Sequence, residues 1–208
     1  MNPADRYSEV FNKYVPSPFV PLITHLLLHS NVHFKIVKER STKLGDFRPL
    51  NKKGKPQITV NGNLNPYAFL ITTLHEFAHW QTFEEFGMHV APHGTEWKQY
   101  FSSLIAKIIH HPELPSDLKK ALVKSTNNPK ASSCNDIHLS RVLRRYDVHE
   151  EEEVSLENLP KNTTFVVNSR IFRKGEKRRT RFECKEISTG KMYLVHLLAK
   201  VKPIYHDK

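Results

Sequence analysis

Residues 65–97 read NPYAFLITTLHEFAHWQTFEEFGMHVAPHGTEW, and this stretch decides the fold of the first part of the chain. Asn65 is a favoured N-cap and Pro66 suits the first helical position, whereas the next glycine or proline is Gly87. The pattern predicts a helix over residues 66–86 that ends at a glycine suited to left-handed backbone. Apolar residues occupy nearly its whole circumference, which predicts that the helix is largely buried.

Three polar residues of this helix, His75, Glu76 and His79, need an explanation. Residues four apart lie on one face of a helix, about 6 Å apart along the axis, so the two imidazoles can share one metal ion. Zinc accepts such ligands at about 2.0–2.1 Å, and a glutamate beside it can hold the metal-bound water and take its proton. Without a metal, burying these groups costs several kcal/mol. We therefore expect His75 and His79 to be zinc ligands and Glu76 to be the general base.

A catalytic zinc needs a third protein ligand and an open position for water. The downstream candidates are Glu84, Glu85, His89, His93 and Glu96. Glu84 and Glu85 follow on the same helix and are interpreted as an exposed face, and His89 as a loop residue. A chain reversal of 13 residues can bring His93 back over the helix, and Glu96 is the rival carboxylate ligand. On the residues alone, both stay open.

The rest of the chain indicates an α+β protein. We predict helices at about 4–13, 19–28 and 94–110 and from 116, and strands within 32–41 and at 57–61, with a turn and polar loop between these strands. Residues 125–136 have linker composition, a short helix follows from 137, and the acidic run HEEEEV is interpreted as a solvated hinge. From 163 the period becomes two, which predicts a small antiparallel sheet of three to five strands. The predicted domains are 1–124, a linker with a short helix over 125–153, and a basic β-sheet subdomain over 154–208.

Composition restricts the class of protein further. A chain of 208 residues can bury an apolar core, and its two cysteines, Cys134 and Cys184, are too few for a disulfide framework. The N-terminus has no apolar segment after a basic start, and the longest apolar runs are short. These features predict a cytoplasmic protein without membrane contact.

Positive charge is concentrated at the C-terminal end. Residues 161–208 carry 13 lysines and arginines against 4 aspartates and glutamates, within a chain whose net charge is +11. The nucleic-acid contacts predicted from this pattern are Arg173, Lys174, Lys177, Arg178, Arg179 and Arg181. Phe172, Phe182 and Tyr193 are interleaved with them and are candidates for stacking on unpaired bases. The alternative is a solvated cationic face over buried aromatic side chains.

These motifs together resemble the SprT-like zinc metalloprotease family, which includes the Spartan proteases of DNA–protein crosslink repair. HEFAH at 75–79 and HGTEW at 93–97 match that family's H-E-x-x-H and its His-Gly followed by an aromatic. Upstream, LGDFRP at 44–49 and QITVNGNLN at 57–65 resemble its Leu-Gly-aromatic turn and Ile-x-Asn strand. The resemblance covers about residues 30–110.

The resemblance implies a compact zincin-type metalloprotease domain with one Zn²⁺. It makes His75, His79 and His93 the zinc ligands and Glu76 the general base, with proteins, including DNA-bound ones, as substrates. Many members end in a zinc ribbon with four cysteines, whereas this chain has only Cys184 there. We therefore expect a degenerate, metal-free relic of the ribbon. The residues expected to hold it together are Phe165, Val167, Ile171, Phe172, Phe182, Tyr193 and Leu194.

The leading hypothesis is a zinc metalloendopeptidase that hydrolyses peptide bonds with a zinc-activated water and acts on DNA-associated proteins. One alternative is a nucleic-acid-binding protein whose zinc is structural or whose peptidase activity is lost. Another is a peptidase that ignores nucleic acid and uses its positive end to dock an acidic protein. Tyr67, His89 and Tyr100 are candidates for stabilising the oxyanion, and the sequence does not choose among them.

Overall fold

The computed structural model describes residues 2–40, 43–50, 54–126, 136–148 and 153–205. The described chain is α+β, which confirms that prediction, and it divides into two compact units, Met1–Asp147 and Val148–Lys208. The division falls inside the segment that the sequence assigns to a linker. Most of residues 125–136, including Cys134, and residues 149–152 of the acidic run lie outside the described part.

The first unit contains helices and one three-stranded sheet. Its helices are α1 (Pro3–Phe11), α2 (Val20–Leu28), α3 (Pro66–Phe86), α4 (Thr95–Ile109), α5 (Ser116–Thr126) and α6 (Ile137–Arg144). Its strands are β1 (His33–Val37), β2 (Gly45–Arg48) and β3 (Gln57–Asn61), in the spatial order β1-β3-β2. Strand β3 is parallel to β1 and antiparallel to β2, so β2 lies at an edge of this sheet.

Helix α3 has the bounds that its sequence predicts. The Asn65 side chain accepts a hydrogen bond from the Ala68 amide at 2.9 Å, and Gly87 follows the last turn with φ 62°. Leu70, Leu74 and Phe77 are fully buried, so α3 runs through the core of the unit. Among the described helices, none combines the length and apolarity that a membrane span requires.

Strand β2 was not predicted, because its four residues follow a turn signal and show no apolar alternation. It forms through pairing with β3, in which Gly45 lies opposite Val60 and Phe47 lies opposite Ile58. The Asn61 side chain donates hydrogen bonds to the Lys43 carbonyl at 3.0 Å and to the Arg40 carbonyl at 3.2 Å. These bonds fix the segment that enters β2.

Helix α6 belongs to the first unit, although the sequence places it in a linker. The Asn65 side chain donates hydrogen bonds to the Leu143 carbonyl at 3.0 Å and to the Asp147 carboxylate at 2.6 Å. Leu139 and Val142 are buried. Helix α6 therefore packs on the unit and buries its apolar face there. The linker composition of the residues before it gives no sign of this packing.

The second unit is built around a six-stranded antiparallel sheet. Its strands are β4 (Val154–Ser155), β5 (Thr164–Val167), β6 (Arg170–Arg178), β7 (Arg181–Glu186), β8 (Met192–His196) and β9 (Lys200–Ile204), in the order β4-β9-β5-β6-β7-β8. Phe165, Phe172 and Phe182 are buried on one face, as expected, together with Cys184, whereas Ile171 and Leu194 are exposed. These two were wrongly assigned to the core, because they alternate with the buried residues and lie on the opposite face.

Candidate functional site

Three histidine side chains converge on one point in the first unit. His75 and His79 project from neighbouring turns of α3, and His93 comes from the loop that joins α3 to α4. The Nε2 atoms lie 3.2 Å apart for His75 and His79, 3.0 Å for His79 and His93, and 3.1 Å for His75 and His93. In the described part of the chain, these residues form the one cluster of potential metal ligands.

The donor set suits a metal ion. Ring nitrogens that face one another at this distance repel each other unless a proton or a cation lies between them, and a neutral imidazole has only one N–H to offer. A tetrahedral zinc with Zn–N bonds of about 2.0–2.1 Å separates its ligand nitrogens by about 3.4 Å, close to the separations found. The three histidines can therefore bind a metal ion with little rearrangement.

Burial favours the neutral form of the three imidazoles, and the neutral form is the one that binds a metal. It lowers the pKa of His75 to about 2 and that of His79 to about 4, and neighbouring histidines add to both shifts. The pKa of His93 is lowered too, first by burial and then by the charge of Lys98.

The loop that carries His93 holds an unusual backbone. His93 has φ 61°, in the left-handed region that costs a non-glycine residue about 1–2 kcal/mol. The Gly94 amide donates to the Ala91 carbonyl at 2.8 Å and closes a turn just before α4. Strain of this kind persists where the surroundings impose it, and here it directs the imidazole at α3.

Trp97 forms a platform under the histidine cluster. Its ring centroid lies 4.6 Å from the rings of both His75 and His93 and 5.3 Å from that of His79. Phe101 stacks on the indole at 5.0 Å, and Trp97 is 1% exposed. The aromatic in HGTEW thus restricts the orientation of all three imidazoles.

The Glu76 side chain is buried against strand β2. A Cβ atom on Gly45 would lie 2.5 Å from Glu76 Oε1, so only glycine leaves room for this carboxylate. The Phe47 amide donates a hydrogen bond to the Glu76 carboxylate. Burial, and then the nearby Asp46, raise the pKa of Glu76 to about 8, whereas the Phe47 hydrogen bond acts in the opposite direction. A carboxyl group in this range can both accept and release a proton.

Other sequence candidates lie away from this centre. Glu96 does not belong to the metal-ligand cluster. Glu84 and His89 are exposed, and Glu85 accepts a hydrogen bond from the Tyr100 hydroxyl. Tyr67 packs on Tyr146, with ring centroids 4.7 Å apart. Tyr67, His89 and Tyr100 do not line the pocket that contains Glu76 and the three histidines, so none of them is placed to stabilise an oxyanion there.

The basic residues of the second unit divide between two faces of its sheet. Arg173 pairs with Lys185 and Arg178 with Arg181, on the face opposite the buried aromatics. We call the residues Arg173, Arg178, Arg181 and Lys185 the basic face; all four are exposed. Lys177, near the end of β6, and Arg179, in the turn that follows, are exposed as well.

Lys174 is the exception, since it is 3% exposed. Its ammonium group donates to the carbonyls of Glu157 and Leu159 and lies 3.9 Å from the centre of the Phe182 ring. The predicted phosphate contact is wrong for this residue, because its side chain belongs to the interior.

The aromatic residues of this unit are not presented for stacking on bases. Phe172 and Phe182 are buried, and Tyr193 packs on the Phe172 ring at 5.6 Å. The Arg170 guanidinium covers the Tyr193 ring at 4.5 Å and forms an ion pair with Glu186 at 2.5 Å. The prediction that these three rings stack on unpaired bases is therefore not supported.

Comparisons with protein-family models, with curated proteins and with solved structures found no match for this chain. The SprT-like resemblance therefore stays a prediction that rests on the motifs.

Proposed function

We propose that the protein is a zinc metalloendopeptidase of the SprT-like, zincin type. The observation that carries the proposal is the convergence of His75, His79 and His93 beside the Glu76 carboxylate in one open pocket. Three protein ligands leave a position free for water, which distinguishes catalytic zinc sites from structural ones. A carboxyl group beside the metal supplies the general base that peptide hydrolysis needs.

Zinc, when bound, polarises the scissile carbonyl and lowers the pKa of a water molecule. Glu76 accepts a proton from the attacking water at its carboxylate, while the water oxygen adds to the carbonyl carbon. Glu76 then gives that proton to the leaving nitrogen as the C–N bond breaks. Gly45 and the Phe47 amide hold the carboxylate in place for both transfers.

Removal and return of the metal test the proposal. We expect the full chain to cleave an unfolded protein such as casein when loaded with zinc, to stop after treatment with a chelator, and to recover when one equivalent of zinc is added. Cleavage that persists in the chelated protein, measured by mass spectrometry of the products, would contradict the proposal.

Gly45 provides a prediction for the position of the base. A Gly45→Ala side chain would also meet Thr72 Cγ2 at 2.7 Å, so the Glu76 carboxylate must shift. A shift of about 1 Å lowers turnover by about a hundredfold, and zinc content should not change because no ligand is touched. The matched control is Gly62→Ala in the same unit, whose Cβ would meet Ile36 at 2.9 Å. Equal turnover in Gly45→Ala and wild type would exclude a positioning role for Gly45.

The basic face favours a second function, the binding of nucleic acid, which would bring the peptidase to DNA-associated proteins. Each phosphate contact contributes a slope of about −0.9 to the dependence of log affinity on log salt for duplex DNA. Changing Arg173, Arg181 and Lys185 to glutamine should therefore weaken binding and reduce the slope by about 2.7.

The control variant has three exposed lysines of the first unit changed to glutamine, so that it loses the same charge. These lysines are Lys13, Lys107 and Lys120. Equal slopes for the two triple variants, measured by fluorescence anisotropy, would rule out the basic face. Salt-sensitive binding without any cleavage of proteins would favour the alternative of a nucleic-acid-binding protein with lost peptidase activity. If DNA changes neither binding nor activity, a peptidase that docks acidic proteins is favoured.

A further inference from the structure

The pocket that contains the candidate metal centre extends well beyond it. Its volume is 530 Å³, within the range of about 300–1,000 Å³ typical of ligand sites. One side is formed by His75, Glu76, His79 and His93. The remainder is mainly apolar, and its principal residues are Phe47, Pro49, Phe83, Met88, Val90 and Pro92. We call these six residues the apolar wall.

The apolar wall begins at the histidine cluster itself. The Phe47 ring is parallel to the His79 ring, with centroids 6.5 Å apart, and it contacts the Phe83 ring at 5.8 Å. Phe47 is also the residue whose amide donates to the Glu76 carboxylate. A group held beside His79 and Glu76 therefore has the apolar wall as its immediate neighbour.

Apart from the histidines, the ionisable side chains that line the pocket are acidic. The acidic groups that line the pocket are Asp46 and Glu76, and no lysine or arginine lines it among the described residues. Asp46 forms ion pairs with Lys43 at 2.7 Å and with Arg48 at 2.8 Å, so its charge is already compensated at the rim. A substrate carboxylate at the apolar wall would have to leave water without gaining a lysine or arginine partner from the lining.

We infer that the apolar wall is a specificity site that receives an apolar side chain of the polypeptide substrate, next to the bond that is cleaved, and that it disfavours aspartate and glutamate. The inference rests on the proposed function, since it assigns the side chain to a substrate of that same centre. Burying a leucine side chain, compared with leaving the space to water, favours binding by about ten- to a hundredfold.

A series of small hydroxamic acids tests the wall without any need for hydrolysis. The probes are the N-acetyl hydroxamic acids of leucine, glycine and aspartate, titrated calorimetrically into the zinc-loaded full chain. We expect the leucine compound to bind at least about tenfold more tightly than the glycine compound, and the aspartate compound to bind more weakly than glycine. Equal affinities across the series would overturn the inference.

Variants of two phenylalanines on helix α3 test whether the apolar wall produces the preference for leucine over glycine. Phe83→Ala should reduce the preference for leucine over glycine by about tenfold, because Phe83 forms part of the wall. Phe86→Ala, which removes the same ring three residues further along the same helix but outside the pocket lining, should leave the preference unchanged. An equal loss in both variants would contradict the assignment.

Met88 provides a variant that should fold normally, since its side chain is 74% exposed. Met88→Lys places a cation at the pocket and should raise the affinity for the aspartate compound several-fold while lowering that for leucine. An unchanged ratio of the affinities for the aspartate and leucine compounds would contradict the assignment of the apolar wall as the specificity site. A leucine preference in a protein that cleaves nothing would refute the proposed function and leave the wall as a binding site for apolar side chains only. Cleavage without any side-chain preference would refute this inference and leave the proposed function.

Discussion

Replacing Glu76 by glutamine is expected to lower the turnover number for peptide hydrolysis by about 10²- to 10⁴-fold, the usual contribution of a general acid–base residue. The amide cannot take a proton from water, so both transfers assigned to this side chain are lost. The glutamine oxygen can still accept the Phe47 hydrogen bond, and the two side chains are nearly equal in size. The fold and the zinc content should therefore be those of wild type.

The matched control for Glu76→Gln is Glu84→Gln, an exposed glutamate on the same helix. Its turnover should equal that of wild type. Initial rates with a quenched fluorescent protein substrate, together with zinc content and thermal unfolding, separate loss of the base from loss of structure. A Glu76→Gln protein that hydrolyses substrate at the wild-type rate would exclude Glu76 as the base.

Replacing His93 by alanine is expected to reduce bound zinc from one equivalent to nearly none at micromolar metal. Only His75 and His79 would then remain of the three converging ligands. A metal at about 100 times its Kd stabilises a protein by about 2.7 kcal/mol, and the variant should lose this zinc-dependent rise in Tm. Its Tm without metal should stay close to that of wild type, since the His93 side chain is only partly buried.

Two further variants distinguish a ligand from a neighbour. His89→Ala changes an exposed histidine of the same loop and should retain one zinc. Glu96→Ala tests the rival ligand and should also retain it, because Glu96 lies outside the cluster. Depletion of zinc in Glu96→Ala with full occupancy in His93→Ala would reverse the assignment. Zinc content by plasma emission spectrometry, combined with Tm, provides the comparison.

The sequence predicts helix α3 and its two ligands because their signals are local. Asn65 and Gly87 mark the two ends within the chain segment itself, and the spacing of His75 and His79 follows from the helical period. On the residues alone His93 is one of two candidates, because its approach depends on a loop with left-handed backbone that no short pattern specifies. Here the resemblance to the SprT-like family added what periodicity could not provide.

The features that the sequence did not predict depend on contacts between distant segments. Gly45 lies against the Glu76 carboxylate because β2 pairs with β3 and passes over α3. A glycine in a turn-like segment of the sequence does not indicate this contact. In the sequence, Phe83 is one of many apolar residues of a buried helix. Its place in the pocket depends on Phe47, whose ring contacts it. Side-chain packing across elements, rather than local propensity, defines the pocket.

Lys174 shows that a charged residue can be assigned to the wrong face of a sheet when the pairing of its strand is unknown. It belongs to a basic run in which alternation exposes every second side chain, and the pairing of β6 with β7 decides which side chains those are. Lys174 lies two residues after the buried Phe172 and pairs with Cys184, so alternation along β6 places it on the buried face, and backbone carbonyls satisfy its ammonium group. A run of basic residues therefore overestimates the number that can contact phosphate.

Anomalous diffraction at the zinc edge, from crystals of the zinc-loaded full chain, tests the central claim most directly. We predict one peak bonded to Nε2 of His75, His79 and His93 at about 2.0–2.1 Å, with its remaining position occupied by water on the side of Glu76. A peak with a fourth protein ligand, or no peak between these histidines, would contradict a catalytic metal centre in this protein.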